Sequence, residues 1–134
     1  MALPEIKPSL PRGDARDYRV TCSKPDGSAW TFVAGDKLTA TVKRDVTDTE
    51  IAAEPAIFTL KSANLDGGAN DQIEIEGGTG NVLMFYLLEA HSLLLSPWEH
   101  YRLGIVVESA ADGKERTVWD GILPVIGRTG NAIP

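Results

Sequence analysis

Residues 98–126, WEHYRLGIVVESAADGKERTVWDGILPVI, decide the fold, because they read as two long strands joined by a short polar turn. From His100 to Glu108, Tyr101, Leu103, Ile105 and Val107 fall on one face, and Arg102, Gly104, Val106 and Glu108 on the other. That period of two, rich in β-branched residues, is the pattern of a half-buried strand. Ala111-Asp112-Gly113-Lys114 supplies the turn, with Gly113 free to take the positive φ of a tight reversal. The return strand, Glu115 to Val125, alternates less cleanly. Thr117, Trp119, Gly121, Leu123 and Val125 share one side, and Arg116, Val118, Asp120, Ile122 and Pro124 the other. Proline has no N–H to give a ladder, so Pro124 predicts a strand that lies at a sheet edge or ends there.

Working outward, Lys37 to Arg44 alternates most clearly, with Leu38, Ala40 and Val42 inward and Thr39, Thr41 and Lys43 outward. Tyr18 to Cys22 alternates as well. Lys24-Pro25-Asp26-Gly27 then turns into a short strand, Ala29 to Val33, that carries Trp30 and Phe32. Ala56 to Lys61, Gln72 to Glu76 and Val82 to Leu88 read as three further strands, with Gly77-Gly78-Thr79-Gly80-Asn81 as a turn before the last. Leu87 to Ser96 has helical spacing and stops at Pro97, which predicts one short helix. Seven or eight strands at regular spacing predict an all-β fold, an immunoglobulin-like antiparallel β-sandwich over residues 18–126. Residues 1–17 hold three prolines (Pro4, Pro8, Pro11) and no sustained periodicity, so they predict an extended N-terminal arm punctuated by Leu3, Ile6 and Leu10. Residues 127–134 form a polar, glycine-bearing C-terminal tail.

A chain of 134 residues, 43% hydrophobic and 24% charged, suits one globular domain with a real core. Its net charge is −6. Eight acidic residues lie between Asp45 and Glu76 against the single Lys61, so the remainder is close to neutral. Nothing in that distribution attracts phosphate, which argues against nucleic-acid binding. No apolar run approaches the roughly 20 residues that a membrane-spanning helix needs. The N-terminus lacks the basic-then-apolar pattern of a secretory signal. A single cysteine, Cys22, excludes an internal disulfide and alternates with Tyr18 and Val20 as a buried thiol would. Together these predict synthesis in a reducing compartment.

The sequence predicts no catalytic, cofactor or metal residues. His91 and His100 stand in no metal-ligand spacing, and no nucleophile has a base at a telling distance. Gly77 to Gly80 resembles a phosphate loop only in glycine content, because no lysine follows and no helix opens there. Asp66, Asn70 and Asp71 offer the oxygen ligands that calcium takes, without the spacing of an EF-hand. Trp30, Trp98 and Trp119 have the residue type of a sugar-binding face, and serve equally as core and edge fillers.

One stretch carries a family resemblance. Val33-Ala-Gly35-Asp36-Lys-Leu-Thr-Ala-Thr-Val42 resembles the opening "G-D" strand of a small phage virion domain, similar to the N-terminal domain of the baseplate upper protein of tailed phages. The likeness continues through Ala56 to Lys61, the glycine turn 77–80, Val82 to Leu95, Tyr101 to Val107, Asp112-Gly113, and Thr117 to Val125 with its internal Gly121. It spans Val33 to Ile126. Glu99-His100 replaces the usual glycine before the tyrosine, and residues 1–32 lie outside the family core. The resemblance implies a non-enzymatic virion structural protein, made in the host cytoplasm. It would be an adaptor of the tail, baseplate or fibre-attachment region, or alternatively a capsid decoration (cement) subunit. Its partners would be other virion structural proteins, in a multi-copy or homo-oligomeric assembly without nucleic acid or membrane. The arm would act as a tether, with Leu3, Ile6, Leu10 and the outward-facing Val106 as partner-binding residues; the alternative is an arm that packs back on its own domain. A carbohydrate-binding or adhesin module is the competing class.

Overall fold

The long hairpin forms as its alternation predicts. Strand β7, His100–Glu108, pairs antiparallel with β8, Glu115–Ile126, and Gly113 takes a φ of +68° in the turn between them. The uneven alternation of β8 has a structural cause. Ile105 lies opposite Trp119 but Val106 opposite Thr117, so Val118 is an extra residue in a β-bulge. The bulge turns Val118 inward while Thr117 stays out beside Val106.

A computed structural model of the chain describes residues 3–7, 9–33, 35–47, 49–62 and 72–127. It shows a mostly-β fold of two sheets around one core. Strands β1 (Leu10–Pro11), β3 (Lys37–Arg44), β4 (Phe58–Lys61), β7 and β8 form a five-stranded sheet in the order β1-β8-β7-β3-β4. Strands β2 (Arg16–Thr21), β5 (Ile73–Ile75) and β6 (Val82–Leu87) form a three-stranded antiparallel sheet in the order β2-β6-β5. Leu38, Ala40 and Val42 of β3, Leu60 of β4, Leu103, Ile105 and Val107 of β7, and Leu123 and Val125 of β8 face Tyr18, Val20, Ile73, Leu83, Phe85 and Leu87 of the smaller sheet. Cys22 and Phe32 complete this sandwich-like core. Each fully buried aliphatic or aromatic side chain contributes about 1.5–3 kcal/mol, so the two inner faces hold the layers together.

The arm is built into the domain rather than left as a tether. Leu10 and Pro11 pair in parallel with Val125 and Ile126, which makes the larger sheet mixed where a purely antiparallel one was expected. Upstream, the Ile122 N–H donates to Pro4 O and the Ile6 N–H to Ile122 O, both at 2.8 Å. Ile6 and Leu10 are 4% and 0% exposed, members of the chain's own core. The expectation that they contact neighbouring subunits is therefore corrected, while Leu3 is half-buried. The reason is the edge of β8, which would otherwise present unpaired backbone groups to water. An extended, proline-rich segment has the backbone to cover it. Gly121 makes room for the arm: a Cβ there would lie 2.7 Å from Pro4 O and 2.2 Å from the Trp119 ring.

Pro124 thus lies inside a strand that has neighbours on both sides, not at an edge. The accommodation falls on the arm, which spends four residues between its bridge at Glu5–Ile122 and its pairing at Leu10–Val125, where β8 spends two. The ladder is interrupted where proline has nothing to donate.

Two further expectations change in detail. Ala29 to Val33 makes only isolated bridges, Ser23 with Ala29 and Phe32 with Gly80, in place of a strand. The expected helix shrinks to one turn, α1, Glu89–Ser92. The chain after it is clasped by the arm, with Arg12 donating to the carbonyls of Leu95 (3.0 Å) and Leu93 (3.3 Å) and the Gly13 N–H to Ser92 Oγ (2.8 Å).

Candidate functional site

Two surfaces stand out. The first is the outer face of the five-stranded sheet. Thr41 of β3, Arg102, Gly104 and Val106 of β7, and Thr117 and Asp120 of β8 line a groove of about 350 Å³, walled on one side by Ile51 and Ala52. The wall is anchored by Lys43, whose Nζ donates to Ile51 O at 2.9 Å. Arg102 is 8% exposed and pairs with Asp120, Nη2 to Oδ2 at 3.0 Å. A buried guanidinium requires such a partner, because an uncompensated charge out of water is costly. Val106, expected from its register to face away from the core, lines this groove. Gly104, directly beside it, opens the groove: a Cβ there would meet nothing within 4 Å.

The second surface is the segment after β6. Leu88, Leu93, Leu94 and Trp98 are exposed, Trp98 by 76%. Trp98 has a φ of +66°, the only positive-φ non-glycine residue among those described. A bulky side chain rarely adopts that conformation. The surroundings hold it there: the Trp98 N–H donates to Val125 O at 2.5 Å and the Val125 N–H to Glu99 O at 3.0 Å. Its indole lies beside Gly127, where a Cβ would be 3.5 Å from Nε1. Strain of this kind concentrates where a side chain is presented for use.

The remaining candidate residues disperse. Trp30 packs against Phe32 with ring centroids 5.9 Å apart, and Trp119 lies over Gly121, so each tryptophan has its own set of neighbours. His91 stacks on Phe58 at 4.8 Å, and its Nδ1 accepts the Leu88 N–H at 3.0 Å. Partial burial lowers the pKa of that imidazole, in keeping with a neutral ring that accepts. Burial pushes the Cys22 thiol up to about 12, which makes it a poor nucleophile. Asp66, Asn70 and Asp71 lie outside the described residues. Among the described residues no group of three His, Cys, Asp or Glu side chains could hold a metal, and no helix is long and apolar enough to cross a membrane.

Sequence reading located Val106 but missed Gly104, Arg102–Asp120 and the exposed leucines. A glycine in mid-strand was the available signal for the groove. Of these leucines, Leu94 falls in the helical stripe that Leu87, His91, Leu94 and Leu95 suggest, and the one-turn length of α1 leaves it outside.

Compared with known proteins, the chain matches no family model, and no curated protein is similar enough to count as a relative.

Proposed function

We propose that the chain is a non-enzymatic structural module of a tailed-phage virion, an adaptor of the tail, baseplate or fibre-attachment region with an immunoglobulin-like body. The single observation that carries the docking role is the exposure of four large apolar side chains, Leu88, Leu93, Leu94 and Trp98, in one stretch of chain, with the tryptophan locked in a strained backbone by the end of β8. Exposed apolar residues grouped on a scaffold mark a protein contact, and tryptophan is among the residues enriched at the energetic centre of one.

The immunoglobulin-like part of the reading has independent support in the strand order. Sheets β8-β7-β3-β4 and β2-β6-β5 correspond to G-F-C-C′ and B-E-D, with β1 running parallel to the last strand. Tyr101, near the start of β7, accepts the Ser96 N–H at 2.7 Å, a relation like the tyrosine corner of such domains. The virion assignment rests on the resemblance described above. The Gly35-Asp36 pair that opens the likeness has a definite task in this fold, the Asp36 carboxylate accepting N–H groups from Val33 and Ala110. With Ile6 and Leu10 in the core, docking falls to the body and not to the arm.

The test is a purified mixture of the chain with particles that lack it, assayed by cosedimentation. Wild type should bind and Trp98→Ala should not, with an unchanged fold by circular dichroism. Equal binding by both would remove the surface from the proposal. Binding to glycans, lost in Trp98→Ala, would favour an adhesin instead.

A further inference from the structure

We propose that two copies of this chain pack through the outer faces of their five-stranded sheets, Val106 of each filling the vacancy above Gly104 of the other. The fold of the single chain does not require a glycine at position 104. Gly104 sits in the middle of β7, paired with Thr41 on one side and Asp120 on the other. Its φ is not positive, and a Cβ would meet no atom within 4 Å. Neither conformation nor crowding therefore calls for glycine, which weakens a central strand through backbone entropy and lost packing. A vacancy that the chain neither needs nor fills suits close approach by something else.

The occupant follows from the symmetry of the face. Val106 projects from the same side of β7, two residues on and half-buried in the same groove. A two-fold axis across β7 at Ile105, lying in the plane between two facing sheets, exchanges positions 104 and 106. Knob then meets hole twice, as an isologous contact demands. The same operation exchanges the row at 102 with the row at 108. Lys43 and Arg102 stand in the first, while Lys37, Glu108 and Glu115 stand in the second. Along β7 the exchange brings Arg102 of each copy over Glu108 of the other, an opposite-charge contact at both ends, while on β3 it brings Lys43 over Lys37. Aligned sheet-on-sheet packing accepts this geometry, with the strands crossing at a modest angle.

This inference goes beyond the virion reading and does not rest on it, so failure to enter a particle leaves it intact. Sedimentation velocity of the full chain over a concentration series tests it. Wild type is expected to form a reversible dimer. Gly104→Val, which fills the vacancy with a strand-favouring side chain, should melt no lower than wild type and yet dimerise roughly 30-fold or more weakly, the factor that a hot-spot residue carries. Val106→Lys, on the exposed side of the strand, should be monomeric and serves as the deciding variant if Gly104→Val does not fold. A wild-type chain that stays monomeric to about 1 mM, the range of the weakest specific contacts, overturns the proposal. So does a dimer that both variants leave unchanged.

Discussion

The carboxylate of Asp36 binds the start of β3 to the far hairpin, its Oδ1 accepting the Ala110 N–H at 2.9 Å across 74 residues of sequence. Its Oδ2 accepts the Val33 N–H at 3.0 Å, and the side chain is buried. Gly35 precedes it with a φ of +96°, its Cα so close to Ala110 that a Cβ would lie 3.3 Å from that residue's methyl. The pair is thus a staple between two turns. Asp36→Ala leaves two part-buried N–H groups without their acceptor and is expected to cost about 1–3 kcal/mol in urea denaturation. Asp36→Asn, which keeps one acceptor, should cost less.

The arm should behave as core. Leu10→Ala removes a fully buried side chain between the sheets and is expected to lower stability by roughly 2–5 kcal/mol. Ile6→Ala should fall in the same range, whereas Leu3→Ala, only half-buried, should cost less than either. Equilibrium unfolding of the three variants gives the ranking. Near-zero effects at 6 and 10 would mean that the arm is a detachable tether after all.

Strain at Trp98 can be measured against itself. Trp98→Ala and Trp98→Gly both lose the indole, but only glycine relaxes the left-handed backbone. The glycine variant should therefore be about 1 kcal/mol more stable than the alanine variant by thermal melt. Equal stability would show that the φ of +66° is not costly.

His91 gives the fold a weak dependence on pH. Its pKa is lowered by partial burial, so the folded state binds its proton less readily than the unfolded state. The contribution is fully present above the ordinary value near 6.5 and is lost as pH falls through the lowered value. Protonation also removes the Nδ1 lone pair that accepts the Leu88 N–H. Melting temperature should fall slightly as pH is lowered from about 7 toward 5, and His91→Phe should flatten that slope. The carboxylates held low by their partners, such as Glu54 beside Arg44, titrate further toward acid.

Much of the fold was legible in the sequence because β7, β3 and β2 each bury one face, and a half-buried strand writes its orientation as a period of two. Tyr101 to Val107 and Leu38 to Val42 read correctly for that reason. The arm did not, since Ile6 and Leu10 are too far apart to show a period and proline reads as a tether whether it floats or edges a sheet. Pro124 misled because the rule concerns hydrogen bonds, and the arm interrupts its own ladder to meet it. The β8 bulge blurred alternation by one residue at Val118. At the candidate site, Val106 followed from register, but the meaning of Gly104 needed the emptiness above it. The exposure of Leu93 and Leu94 depends on where a one-turn helix ends, which composition does not fix.

Quantitative mass spectrometry of purified particles shows whether the chain is a virion component. A tail adaptor is expected at a few to a dozen copies per virion, retained in detached tails and lost with Trp98→Ala. Hundreds of copies retained in tailless heads would make it a capsid decoration subunit. Absence from particles, with the chain free in the lysate, would contradict a virion structural role altogether.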